Sequence, residues 1–376
     1  MNIGGLGIMK RSLKKLYSKN PYNDKGSNQY FLDGIRDTTR RFFNQSDYYQ
    51  KICELHHFQI EDIKTMEDLY KIPPIPTLFF KRNDISIEHN SIIEVTSSGT
   101  SGKCSKVTYS AFEIIQMAKM SIRLGILHNL FSILPTHYII LGYQPTKQNK
   151  TVISKTAYLS TWYALGLTRT YALKYSGNEY KIDLSKLIKV LVKRSKGILP
   201  IRIIGFPSYL YFMLSLMKEN NIKLKLPKGS RILLGGGWKQ FFQDEISKNE
   251  LFNMIYELLG VKKENIHEFF GAAEHPVLYC TCKNHHFHIP VYGRVIIRDV
   301  QSLEPLPKGR VGLVNLLTPI GGSIPIMSVI TDDLGILHDS LECNCGIKSD
   351  YLELLGRVGV TDIKTCSQGA KEYWRG

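Results

Sequence analysis

The sequence lacks any apolar run near ~18 residues, the length that a membrane-spanning helix requires, so we expect a soluble chain without membrane insertion. A secretory leader is not expected either. The first basic residues, Lys10 and Arg11, follow the apolar stretch 1–9, which is the wrong polarity for a signal peptide. The cytoplasm is therefore the expected compartment. Internal repeats and low-complexity segments are absent as well.

Three common catalytic motifs are also missing. Ser97 stands where the P-loop of NTPases has its first glycine, and Cys104 follows Lys103. The stretch Gly205–Ser208 breaks the G-x-S-x-G spacing of serine hydrolases. Gly235–Gly237 are contiguous and open no matching helix, unlike a dinucleotide-binding fingerprint. These absences argue against a P-loop NTPase, a serine hydrolase and a dinucleotide-binding dehydrogenase.

The net charge of +16 raises the question of a nucleic-acid partner. The lysines of the sequence are scattered, however, and the densest basic cluster is the short stretch Lys10–Lys15. We therefore expect no nucleic-acid binding, which needs basic residues gathered on one face. A positive field would still favour the capture of ATP, a fatty carboxylate or an acidic carrier protein.

One segment concentrates glycine, hydroxyl and lysine side chains directly after a β-branched, apolar lead-in. Glycine lets the backbone approach an anion closely, successive N–H groups form an anion-binding nest, and lysine supplies a point charge. This composition predicts a phosphate-binding loop, with the two lysines as cationic contacts. Its residues are Thr96, Ser97, Ser98, Gly99, Thr100, Ser101, Gly102, Lys103 and Lys106.

The loop resembles the phosphate loop of acyl-adenylate-forming enzymes, [ST]-[SG]-G-T-[ST]-G-x-x-K. Further segments resemble that superfamily's elements in the same order, and they span almost the whole chain: Ile72–Lys81, Gly205–Ser208, Ile232–Lys239, Phe269–His275, Ser328–Gly335 and Gly356-Arg357. Within the superfamily the chain resembles the LuxE-like acyl-protein synthetases, which are ATP-dependent fatty-acid ligases of the bioluminescence fatty-acid reductase complex.

The resemblance implies roles for individual residues. Glu274 would hold Mg²⁺, because magnesium at nucleotide sites is bound by carboxylates and phosphate oxygens. Asp333 would accept hydrogen bonds from the ribose hydroxyls, although Asp332 stands where the family has glycine. Arg357 would contact the ribose or the α-phosphate. The adenine would lie near Gly235, Gly236, Gly237, Phe269, Phe270 and Gly271, with either phenylalanine stacking on it.

The resemblance also implies a second half-reaction. Only 19 residues follow Arg357, so the mobile C-terminal domain of the wider superfamily, with its catalytic lysine, is expected to be missing. Lys239 would take over the work of that lysine. Cys366 is placed where the family carries an acylatable cysteine, and Lys364 and Lys371 would lower its thiol pKa from ~8.5 toward neutrality.

Clustered cysteines and histidines predict a structural zinc site. In a cytosolic chain such clustering favours metal over disulfide, and zinc requires four nitrogen or sulfur ligands. Cys-x-Cys spacing is tighter than the usual knuckle, so alternatives remain open. The expected ligands are Cys282, His288, Cys343 and Cys345, with Cys280, His285 or His286 as substitutes.

We expect an α/β fold like the N-terminal domain of adenylate-forming enzymes, because short β-branched segments alternate with helical ones from Ile92 onward. Helices are predicted over Tyr30–Phe43, Ile60–Leu69 and Asp244–Leu259. The expected organisation is a helical N-terminal region at 1–90, a nucleotide-binding core at 91–275, a β-rich lobe at 276–355 and a hinge-like tail at 356–376.

These inferences predict an enzyme that adenylates a fatty or related carboxylic acid with ATP and Mg²⁺. It would then pass the acyl group to Cys366 and on to an acyl reductase partner. Two alternatives remain: a phenylacetate-type ligase that uses coenzyme A, and a catalytically idle scaffold that binds nucleotide or a partner complex.

Overall fold

The computed structural model describes residues 11–23, 25–83, 85–88, 90–97, 104–145, 160–176, 179–238, 241 and 244–357. The chain forms two compact units. The first unit combines Met1–Leu124 with Gly271–Gly376, and the second is Gly125–Phe270. The four-part division expected from the sequence remains a prediction. Among the described residues, no helix combines the length and apolar character needed to cross a bilayer.

Helices dominate the amino-terminal part of the first unit. One face of α2 is buried through residues at helical spacing, including Phe31, Ile35 and Phe42. The start of α3 is capped by the Ser46 hydroxyl, which accepts a hydrogen bond from the Tyr49 N–H at 3.3 Å. The helices are α1 (11–16), α2 (Ser27–Gln45), α3 (Asp47–Leu55), α4 (Thr77–Arg82) and α5 (Ala111–Leu127).

The prediction of a helix over Ile60–Leu69 is wrong. The chain instead forms two short 3₁₀ turns, Ile60–Asp62 and Glu67–Lys71. Asp62 accepts from the Gln59 N–H at 2.9 Å, and Asp68 accepts from the Thr65 N–H at 2.8 Å. Aspartate side chains that bond to nearby backbone N–H groups compete with a continuous helix, and here they close separate turns.

A mixed sheet forms most of the remaining first unit. Its strand order is β11-β15-β14-β13-β12 with antiparallel pairs, while β1 lies parallel to the first part of β14. A separate antiparallel pair joins β2 and β3. The strands of the first unit, of which β10 lies outside these two sheets, are β1 (Ile75–Pro76), β2 (Ile93–Thr96), β3 (Lys106–Tyr109), β10 (His275–Cys280), β11 (Phe287–His288), β12 (Arg294–Arg298), β13 (Val311–Leu317), β14 (Ser328–His338) and β15 (Tyr351–Arg357). The short helix α9 (Ser340–Cys343) follows β14.

The second unit is an α/β layer with a largely parallel sheet, as the alternating pattern predicts. Strand order is β9-β8-β7-β4-β5-β6, and only the β5–β6 pair in this order is antiparallel. Its elements are β4 (Ser132–Tyr143), β5 (Ala164–Ser176), β6 (Glu179–Ile182), α6 (Leu184–Ser195), β7 (Ile201–Gly205), α7 (Pro207–Glu219), β8 (Arg231–Gly235), α8 (Lys248–Leu259) and β9 (Ile266–Ala272).

Alternate residues of the central strands form the core of the second unit. Ile139, Ile203 and Ile232 lie on one face of the sheet and pack with the buried faces of α6, α7 and α8. Helix α8 begins at Lys248, four residues later than predicted, because the Ser247 side chain caps it. As predicted, it ends at Gly260, whose φ of 67° is left-handed.

Gly205 is a point where only glycine fits. Its φ is 137°, and a Cβ there would collide with the Leu141 carbonyl oxygen. We predict that Gly205→Ala lowers the free energy of unfolding by about 2–5 kcal/mol, since it adds backbone strain to a steric clash. Gly142→Ala is the matched control, because the nearest atoms to its added Cβ lie 4.0 Å away. Urea denaturation measures both, and equal stabilities would contradict the prediction.

Candidate functional site

The described ends of the predicted phosphate loop belong to the paired strands β2 and β3 and to the residues that adjoin them. Thr96 pairs with Lys106 in the ladder. The next residues extend it, since the Ser97 N–H donates to the Ser105 carbonyl at 3.1 Å and the Ser105 N–H donates to the Ser97 hydroxyl at 2.9 Å. Ser98–Lys103 lie outside the described residues. The ends of the loop are therefore held side by side by four backbone strand pairs and a side-chain hydrogen bond.

The hairpin is supported by a glycine-rich segment that the sequence analysis did not single out. The Ser323 N–H donates to the Thr108 carbonyl, and the Thr108 N–H donates to the Ser323 hydroxyl, both at 3.1 Å. A Cβ on Gly322 would lie 2.6 Å from the Thr108 carbonyl oxygen. Arg41 donates to the Gly322 carbonyl at 3.0 Å. The adjacent pair Gly321-Gly322 was the available signal, because paired glycines mark a close backbone approach.

Two predicted ribose contacts face each other across neighbouring strands. Asp333 and Arg357 are paired residues of β14 and β15, and the Arg357 Nε donates to the Asp333 Oδ1 at 2.9 Å. Asp333 is 8% exposed. Its neighbour Asp332 lies on the opposite face of the strand, where the Thr77 hydroxyl is 3.5 Å from its Oδ1. Of the two aspartates, Asp333 is therefore the partner of Arg357.

Glu274 lies in the turn between β9 and β10 and is 4% exposed. Its Oε1 has no hydrogen-bond partner among the described residues. Its charge is felt nearby, because burial and then the charges of Glu113 and Glu274 raise the pKa of Tyr109 well above its ordinary value. Burial alone would lower the pKa of Arg357, but the charges of Asp333, Asp332 and Glu274 together raise it. A buried carboxylate oxygen with free lone pairs is suited to bind a cation.

The second unit contains the predicted adenine contacts. Gly235 ends β8 and pairs with Phe269 of β9, and a Cβ on Gly235 would lie 3.3 Å from the Phe269 carbonyl oxygen. Gly236 and Gly237 have left-handed φ angles of 86° and 64°, which favour glycine. The chain therefore turns sharply beside Phe269. Phe270 follows it along β9 and is partly buried, and Gly271, the first residue of the other unit, is exposed. Lys239 lies outside the described residues.

The predicted metal ligands meet in the first unit. The ligand atoms of Cys282, His288, Cys343 and Cys345 all lie within 4.8 Å of one another. The Cys282 and Cys343 sulfurs are 3.6 Å apart, and the Cys345 sulfur is 3.1 Å from the His288 Nε2. Tetrahedral zinc with Zn–S bonds of about 2.3 Å requires sulfurs roughly 3.8 Å apart. This donor set can therefore enclose a tetrahedral ion. Cys280 is buried on β10 and is not part of the set among the described residues.

Surrounding groups orient these ligands. The His288 Nδ1 donates to the Ser349 carbonyl at 2.6 Å, which leaves the Nε2 free to bind a metal. Backbone N–H groups of Asn284 and Ile347 donate to the Cys282 and Cys345 sulfurs at 3.3 and 3.4 Å. Burial and neighbouring thiols raise the pKa of Cys343 to about 12, so binding a cation there would release a proton.

Two curated relatives match this chain over most of its length. The long-chain-fatty-acid–luciferin-component ligase of Aliivibrio fischeri is 25% identical over 316 residues, covering 82% of this chain and 79% of that protein. The corresponding ligase of Vibrio harveyi is 25% identical over 342 residues, covering 89% and 85%.

Among solved structures, a 2-hydroxyisobutyryl-CoA ligase superimposes with a TM-score of 0.69 at 15% identity, covering 90% of this chain and 70% of the ligase chain. That likeness confirms the expected adenylate-forming fold. The sequence profile described as "Acyl-protein synthetase, LuxE" matches residues 17–374, which is nearly the full length. The chain therefore belongs to the LuxE family of acyl-protein synthetases.

Proposed function

We propose that this protein activates a fatty or related carboxylic acid with ATP. A carboxylate oxygen attacks the α-phosphorus of ATP, the bond to pyrophosphate breaks, and an acyl-adenylate forms. Membership of the LuxE family and the long-chain fatty acids in the names of two relatives support this proposal. The observation that carries it is the presence in one unit of the Asp333–Arg357 pair, joined at 2.9 Å, and of the buried Glu274 carboxylate, whose Oε1 has no hydrogen-bond partner among the described residues.

The reaction needs alignment and neutralisation of phosphate charge more than it needs acid–base catalysis. The Thr96–Lys106 loop would hold the β- and γ-phosphates with its backbone N–H groups and with Lys103 and Lys106. Asp333 would accept hydrogen bonds from the ribose hydroxyls. The Arg357 Nε donates to Asp333, which holds the guanidinium beside this carboxylate, and Arg357 would contact the ribose or the α-phosphate as a permanently charged group.

Glu274 is the proposed carboxylate ligand of Mg²⁺, since its unpartnered, buried Oε1 is the type of oxygen that magnesium binds. Bound Mg²⁺ neutralises phosphate charge. In the second unit, Gly235–Gly237 offer a surface without side chains for the adenine, beside Phe269 or Phe270. Lys239 is proposed to supply the positive charge that a catalytic lysine delivers elsewhere in the superfamily.

In the proposed second half-reaction, the Cys366 thiolate attacks the acyl carbon, AMP leaves, and the protein carries a thioester. The thiol proton passes to solvent when the thiolate forms. A thioester stays activated, so it is a suitable substrate for an acyl reductase partner that takes the chain onward. Cys366 lies outside the described residues, and this assignment rests on the family resemblance.

ATP–pyrophosphate exchange across carboxylic acids of increasing chain length tests the first half-reaction. We expect acid-dependent exchange that is highest with a long chain. Glu274→Gln should lower the exchange rate about 100-fold, because it removes the negative charge that would hold the cation. Glu113→Gln is the matched control: Glu113 is also buried, but its carboxylate caps α5 through the Ser110 N–H at 2.8 Å.

Equal exchange by the Glu274→Gln variant and the wild type would overturn the role of Glu274. Absence of exchange with every acid would favour the idle-scaffold alternative. Release of acyl-CoA when coenzyme A is added would favour the phenylacetate-type ligase.

Cys366→Ser tests the thioester. We expect the variant to retain pyrophosphate exchange and to lose the hydroxylamine-sensitive adduct with radiolabelled fatty acid. The serine hydroxyl forms an ester far less readily than the cysteine thiolate forms a thioester. Cys104→Ser is the control, since Cys104 is an exposed cysteine of the phosphate-loop region and has no assigned role in acyl transfer. An undiminished labile adduct on the Cys366→Ser variant would refute the assignment.

We further propose that the Cys282, His288, Cys343 and Cys345 set holds a structural Zn²⁺. The purified protein should contain about one zinc per chain. Cys345→Ser should lose the metal and lower the melting temperature, whereas Cys280→Ala should keep the metal. Elemental analysis and thermal denaturation measure both. Retention of full zinc content by the Cys345→Ser variant would contradict the proposed ligand set.

A further inference from the structure

A row of cationic side chains crosses the sheet of the second unit. Arg169 of β5 pairs with Tyr138 of β4, Tyr138 pairs with Arg202 of β7, and Arg202 pairs with Arg231 of β8. Residues paired in register on parallel strands lie on the same face of a sheet. Three guanidinium groups and one phenol therefore share one row, on the face opposite Ile139, Ile203 and Ile232.

Arg202 is the buried centre of this row. It is 1% exposed, and its Nε and Nη1 have no hydrogen-bond partner among the described residues. Arg202 interacts with the hydroxyl of Tyr138, which itself donates to the Ala164 carbonyl at 3.2 Å. The neighbouring Arg231 is half-buried and donates to the Asn129 carbonyl.

Among the described residues, the groups that most affect the charge of Arg202 include no acidic side chain. Burial lowers the pKa of Arg202, and the next influences are the Tyr138 hydroxyl and the like charge of Arg231. No carboxylate is among these main influences. A guanidinium remains protonated in proteins, and a buried charge without a counter-charge is strongly unfavourable. An anion bound beside Arg202 would remove this cost.

We propose that the Arg202 and Arg231 side chains form a binding site for a small oxyanion. The Nε and Nη1 of Arg202 would donate to its oxygens, and Arg231 would add a second positive charge. Phosphate, sulfate and carboxylate share this chemistry. The site differs from the proposed nucleotide site, because Arg202 lies three residues before Gly205, about 10 Å from the carboxyl end of β7.

A titration of the full-length protein with sodium phosphate tests this site. The melting temperature is measured at each concentration, and sodium chloride keeps the ionic strength constant. We expect a saturable increase, since a ligand that binds the folded state stabilises it. Arg202→Met should abolish the increase while remaining folded, because methionine fills similar volume without a buried charge. Lys106→Ala should keep the increase, which separates this site from the phosphate loop.

A parallel titration with sodium acetate distinguishes the source of the oxyanion. Saturation at a lower concentration of acetate than of phosphate would identify a carboxylate ligand, and the reverse order would identify a phosphate ligand. If Arg202→Met does not fold, Arg231→Gln provides the second variant and should weaken apparent phosphate affinity about tenfold. The proposal is overturned if the Arg202 variant retains the saturable increase, or if Lys106→Ala abolishes it.

Discussion

Backbone pairing between β14 and β15 places the Asp333 carboxylate opposite the Arg357 guanidinium, and the contact between these two predicted nucleotide ligands depends on this register. Near its start β14 also pairs with β1, which brings Thr77 to the other face of β14, beside Asp332. Because side chains alternate along a strand, a shift of one residue would exchange the two aspartates. Arg357 would then face away from Asp333.

Close backbone approach is the second constraint, and glycine meets it in both units. Gly322 lets the Thr108 carbonyl come close to the chain that supports the β2–β3 hairpin. In the second unit, Gly205 lets the end of β7 approach the Leu141 carbonyl, and Gly236 turns the chain directly after β8. At each place a side chain larger than that of glycine would disturb the local backbone arrangement.

Sequence patterns predict local features well. The alternation of strands and helices from Ile92 predicts the parallel sheet. The phosphate loop could be proposed from composition because its chemistry lies in consecutive residues, and it stays a prediction. Cys282 and Cys343 could be grouped because cysteine and histidine are rare and clustered. By contrast, the helix predicted over Ile60–Leu69 fails because Asp62 and Asp68 bond to backbone N–H groups, a competition that hydrophobic spacing does not reveal.

Local sequence patterns do not predict which distant segments of the chain come into contact. The bond between Ser323 and Thr108 joins residues 215 positions apart. Nothing around Ser323 indicates which strand it supports. The row containing Arg202 also depends on strand order, because β4 pairs with both β5 and β7. A single arginine within the apolar run Ile201–Ile204 gives no sign of the partners that its neighbours in the sheet provide.

Both units bury a charged group that has unused hydrogen-bonding capacity: Glu274 in one and Arg202 in the other. Each is costly, because the protein interior replaces the hydration of an ion only where a counter-charge or a full set of hydrogen bonds is present. A chain selected for stability alone would gain by replacing either group with an apolar residue of similar volume. Their charges are opposite, so each would be relieved by a different ligand: a cation at Glu274 and an anion at Arg202. Because each ligand would bind the folded chain and not the unfolded one, each would add its binding free energy to the stability of its own unit.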